Sequence, residues 1–152
     1  VPTVGDYFSA AEKQEHIDTE LRSGRILYLY CQFTDPPKDK FLLLACRSDP
    51  PLLFMINSEI RGFIRRRPDL LSSQVRLKAS VYNFLSHDSF IDCSEVINRF
   101  GEEAIINQIL SDVGRIKGKI SRAMKREVVA VVKKARTITP ADKELIIQAL
   151  KQ

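Results

Sequence analysis

No apolar run in this 152-residue chain approaches the ~20 residues needed to cross a bilayer. The longest, Phe41–Cys46 and Leu52–Ile56, are a few residues each, and the acidic start does not read as a secretory leader. Both features point to a soluble, cytoplasmic protein. Cysteine is scarce and odd in number. Cys31, Cys46 and Cys93 each sit inside an apolar stretch, with no CxxC pair or Cys/His cluster. That pattern speaks against a disulfide framework or a structural zinc site, and for three small buried residues in a reducing compartment. Also missing are a P-loop, GxGxxG, HExxH, GxSxG and any carboxylate cluster with metal spacing, so most enzyme classes lose their usual signature.

What is present is ordinary globular composition, 44% hydrophobic and 28% charged, at a length that suits one core. The expected organisation is a single domain over 1–152. A helical extension occupies 1–23, a barrel with packed helices 24–136, and a C-terminal helix 137–152. The net charge is +5, unevenly spread: Gly114–Arg136 holds nine bases against the single acid Glu127, leaving the rest of the chain at −3. Such asymmetry suits a polyanionic or acidic partner, and equally a solvated basic face.

Ser9, three residues before Glu12, begins a capping box for a helix over about 10–22. Its apolar positions Ala11, Ile17 and Leu21 are sparse, which suggests a surface appendage outside the core. Gly24 reads as the stop. The β-branched and aromatic run Ile26–Phe33 predicts a strand, and Lys40–Arg47 and Leu52–Asn57 predict two more, separated by the proline turns 34–39 and 48–51. With no helix between them, the three form an antiparallel meander or small barrel. Ser58–Ser73 reads as an irregular basic loop, followed by strands at Gln74–Lys78 and Phe90–Cys93. Beyond Gly101 the period becomes helical. Ala104, Ile105 and Ile109 mark a short helix; Ile120, Met124, Val128, Val131, Val132 and Ala135 mark a stronger one that faces its bases outward. Thr139-Pro140-Ala141-Asp142 opens a last helix over Pro140–Leu150. The fold class is therefore α+β, a mainly β antiparallel barrel with flanking helices.

Two groups of residues can carry chemistry. His87 stands beside Asp88 and Ser89; an imidazole near neutral pKa serves as acid or base and a carboxylate orients it, while the plainer alternative is a turn that caps the next strand. Lys40, Arg47 and the cluster Arg61, Arg65, Arg66 and Arg67 can hold phosphates, or simply keep a loop solvated.

Three pieces, taken in order, carry a resemblance. Gly24–Leu29, Phe33-Thr34-Asp35 and Lys40–Ala45 make the first; Phe84–Ile97, with its Ser86-His87-Asp88-Ser89 step, the second; Gly114–Ser121 and the following helix the third. Together, over about 24–136, they resemble the MazF/PemK-type toxins. The resemblance implies an SH3-like, CcdB-like barrel that dimerises and cleaves single-stranded RNA without metal or cofactor, neutralised by an acidic antitoxin. It implies that Lys40 and Arg47 bind phosphate, that His87 with Asp88 supplies acid/base chemistry, and that Ser89 positions the substrate. Lys40-Phe41 stands where the family has arginine followed by proline, which keeps the charge and loses the bidentate fork. The family's hydroxyl residue after the next turn has no clear match; Asn57 and Ser58 are the polar residues there. A second reading keeps the barrel without catalysis, binding nucleic acid or protein through Arg65–Arg67 and the Arg122, Arg126 and Lys133 face.

Overall fold

The computed structural model describes residues 9–152. Six strands form one antiparallel sheet in the order β4-β5-β3-β2-β1-β6, curled into a half-barrel. They are β1 (Arg25–Cys31), β2 (Lys38–Cys46), β3 (Leu52–Asn57), β4 (Gln74–Leu77), β5 (Ser89–Asp92) and β6 (Ile116–Lys119). The expected meander is the centre of the sheet, with Leu42 opposite Leu27 on one side and Met55 on the other.

The two edges, β4 and β6, do not pair with each other. Side chains from the loop after β4 fill the gap. The Tyr82 hydroxyl accepts the Ser121 N–H at 3.4 Å, and the Phe84 ring lies so close to Gly118 that a Cβ there would sit 3.1 Å from it. Tyr28, Phe41 and Phe84 then stack in series across that face, with centroids 4.7 and 5.4 Å apart.

Helices cover both faces of the sheet, which explains why β2 is a continuous apolar run with no alternation. Leu43 and Ala45 belong to one core with Phe54, Ile91, Val128, Val132 and Ile146. Leu42 and Leu44 belong to the other with Leu29, Leu53, Ile105 and Ile109. The first is capped by α5 (Arg122–Lys134) and α6 (Pro140–Leu150); the second by α1 (Ala10–Glu20) and α4 (Glu102–Ser111). No helix among the described residues is long and apolar enough to cross a membrane.

Two expectations need correction. α1 is no appendage: Ile17 and Leu21, one helical turn apart, are 0% and 2% exposed in the second core. Its sparse apolar pattern reflects a narrow contact stripe. The stretch 58–73 is not wholly irregular, since it makes two single-turn helices, α2 (Gly62–Arg65) and α3 (Pro68–Leu71), the latter with proline at its first position. The strong helix and the last helix lie where their periodicity and caps place them, with Ser121 and Thr139 accepting from Met124 N–H and Asp142 N–H.

Candidate active site

β2 begins with Lys38, Asp39 and Lys40, and the alternation of a strand puts both lysines on one side. The β2–β3 ladder ends at Phe41 and Ile56, and just beyond it the Lys40 Nζ donates to Oδ1 of Asn57, the last residue of β3, at 3.2 Å. No carboxylate pairs with Lys40 among the described residues. Burial lowers its pKa below the ordinary lysine value, and the neighbouring Lys38 and Arg61 cations push it the same way. The Cys31 thiol nearby is pushed up to about 11, chiefly by burial. A half-buried cation satisfied only by a neutral amide is a site prepared for an anion.

Lys40 borders two hollows. One, of about 210 Å³, also has Lys38, Asp39, Tyr28, Ser58, Ser86, His87 and Ser89 in its lining, the Asp39 carboxylate being paired with Arg115. His87 comes from the loop leading into β5, and its Nδ1 lies 2.9 Å from Ser86 Oγ. Ser89 is 4% exposed and donates to the His87 carbonyl oxygen at 3.2 Å, so its hydroxyl holds the loop in shape. The other hollow, of about 350 Å³, adds Arg61, Arg99, Asn57 and the rings of Phe33 and Phe63, with the acids Asp35, Asp92 and Glu95 also in its lining. Arg99 stacks over Phe33 at 5.3 Å, and Phe63 is half exposed. Phe33 is covered by Arg99 and Phe100, so Phe63 is the ring left for a base of an unpaired nucleic-acid strand, with Lys40 and Arg61 beside it for the phosphates.

Lys40, His87 and Ser89 thus converge. Asp88 and Arg47 do not join them. Asp88 turns the other way, accepting the Ala79 N–H at 2.8 Å and ion-pairing with Arg76 of β4; those two partners hold its carboxyl below the usual carboxylate range. Arg47 lies seven residues along from Lys40, about 23 Å away at strand rise. There it donates to Glu102 Oε1 at 2.7 Å and to the Leu21 carbonyl at 3.3 Å, tying α4 and α1 together. Of the basic loop, Arg61 lines the larger hollow, Arg65 donates to the Ile60 carbonyl, Arg67 pairs with Asp69, and Arg66 is exposed. Arg122, Arg126 and Lys133 form part of a separate groove on α5.

Sequence reasoning passed over Lys38, Tyr28, Arg99 and Arg76. Alternation around Lys40 pointed to Lys38, and strand pairing at Gln74–Leu77 to Arg76. Tyr28 and Arg99 depend on the curl of the sheet, for which the local pattern holds no signal. No group of three or more His, Cys, Asp or Glu placed to hold a metal occurs among the described residues. The chain matches no protein-family model, and no curated protein matches it in sequence.

Proposed function

We propose that the protein is a metal-independent endoribonuclease of the MazF/PemK type, acting on single-stranded RNA in the cleft between Lys40 and His87. The observation that carries this reading is the convergence of a lysine of lowered pKa and a histidine, 47 residues apart in sequence, on the lining of one hollow. In the reaction the 2′-hydroxyl gives its proton to His87 as its oxygen bonds to phosphorus. The P–O5′ bond breaks, and the 5′-oxygen takes a proton from the Lys40 ammonium, for which a depressed pKa is an advantage. Lys38 offsets the negative charge that builds on the non-bridging oxygens. The products are a 2′,3′-cyclic phosphate and a 5′-hydroxyl. An acidic antitoxin segment and a homodimer belong to this reading as its partners.

The test is incubation of the protein with mixed-sequence RNA in EDTA, beside Lys40→Ala and His87→Ala, with fragment ends read by mass spectrometry. Cyclic-phosphate ends from the wild type, and their loss in both variants, are expected. Intact RNA at high wild-type concentration refutes catalysis. A second reading, a binding protein without catalysis, is favoured by the engagement of Asp88 with Arg76 and of Arg47 with Glu102, which leaves two of the residues the resemblance implies outside the cleft.

A further inference from the structure

The groove between α5, the end of β6 and the C-terminal end of α6, about 840 Å³, is lined by Lys119, Arg122, Arg126, Lys133, Lys134 and Lys151, with Lys125 half-buried among them. No Asp or Glu side chain lines it, and none of these basic side chains has an ion-pair or hydrogen-bond partner among the described residues. Arg25, Arg47, Arg76 and Arg115, by contrast, each hold a carboxylate. Arg122, Arg126 and Lys133 fall at i, i+4 and i+11, one stripe of the helix about 16 Å long.

The floor decides what such a groove takes. Ile120, Val129 and Leu150 are only 2%, 7% and 2% exposed, no aromatic ring lines the groove, and its polar groups are almost all cations. A phosphodiester backbone needs only the charge. We propose that the α5–α6 groove is a second nucleic-acid site, which grips the phosphates of an RNA strand without reading its bases and is separate from the Lys40–His87 cleft. Lys119 pairs with Arg25 at one end of β1 and Lys38 with Cys31 at the other, six residues apart, which is about 20 Å along the strand. The groove therefore goes beyond the cleavage reading and stands whether or not the cleft is catalytic.

The experiment is fluorescence anisotropy with a labelled 20-nucleotide mixed-sequence RNA in EDTA, across a salt series, for His87→Ala and for the same protein carrying Arg122→Gln, Arg126→Gln and Lys133→Gln. The His87→Ala background keeps the probe intact, and the three added substitutions are on exposed side chains, with folding checked by a thermal melt. The groove variant is expected to bind at least tenfold more weakly near 0.1 M salt, with a log–log salt slope shallower by about 2, three contacts at about 0.7 each. A single-stranded DNA of the same sequence is expected to bind within a few-fold of the RNA. Unchanged affinity and slope in the groove variant overturn the proposal. So does failure of the parent to bind RNA at 50 mM salt, or a poly-glutamate peptide that binds the groove more tightly than the RNA does. Failure of cleavage alone appears as RNA left intact by the wild-type protein while the His87→Ala protein still binds through the groove, so the two readings fail separately.

Discussion

Lys40 and Asn57 meet just past the end of the β2–β3 ladder with Nζ and Oδ1 3.2 Å apart, a cation held by an amide where a carboxylate would neutralise it. The consequence is a pH dependence of known sign. A lysine whose folded pKa lies below its unfolded value, near 10.4, penalises folding while it is charged, and the penalty fades as pH rises through the interval between the two values. In urea titrations between pH 8 and pH 10.5, wild type should gain stability relative to Lys40→Met as pH rises. A difference that stays flat across this range would show that Lys40 ionises as an exposed lysine does.

Asp88 behaves in the opposite sense. Its carboxyl is held low by the Ala79 N–H and by Arg76, so the stability it contributes is present above the unfolded pKa near 3.9 and is lost as pH falls through the lower folded value. Asp88→Asn should lower the melting temperature at neutral pH, with the gap to wild type closing in acid. Because the carboxylate points to β4, the RNA cleavage proposed above should, at neutral pH, stay within about twofold of wild type in this variant. A loss of a hundredfold or more, at full folding, would place Asp88 in the chemistry.

The parts of this fold that were legible are those set by local rules. The capped helix Pro140–Leu150 begins and ends where Thr139-Pro140 and the apolar spacing put it, and the α5 stripe from Ile120 to Ala135 faces the core as its period requires. β2 was legible as a strand, but its apolar run could not say that helices cover both of its faces, because a buried strand and a half-buried one differ only in their partners. The site was legible in part for the same reason. Lys40 and His87 stood out as residue types, and their meeting depends on the sheet's curl. The acid adjacent to His87 in sequence faces away from it, since Asp88 turns back to β4 while His87 lines the cleft.

The burial of α1 makes a strong prediction about stability. Ile17 is fully buried against the β1–β2 face and α4, so Ile17→Ala removes packed methylenes and leaves a cavity. A loss of about 2–4 kcal/mol in chemical denaturation is expected, against less than about 0.5 kcal/mol for a surface appendage.

Gly24 offers a way to separate backbone strain from crowding. Its φ is +96°, a region side chains rarely adopt, and its backbone cannot turn away because the N–H donates to Leu44 O at 2.8 Å while the carbonyl accepts from Ile120 N at 2.9 Å. An added Cβ would also sit 2.7 Å from Lys125 Cε. That second contact is with the far end of a flexible chain, which can swing into the open groove beside it, whereas the first is fixed at both ends by the sheet and by the start of α5. Gly24→Ala should therefore cost about 1–2 kcal/mol, most of it from the backbone. In a double-mutant cycle measured by urea denaturation, Lys125→Ala should recover only a minor share of that loss. Full recovery would mean that the Lys125 stem, and not the pinned turn into β1, is what requires glycine at this position.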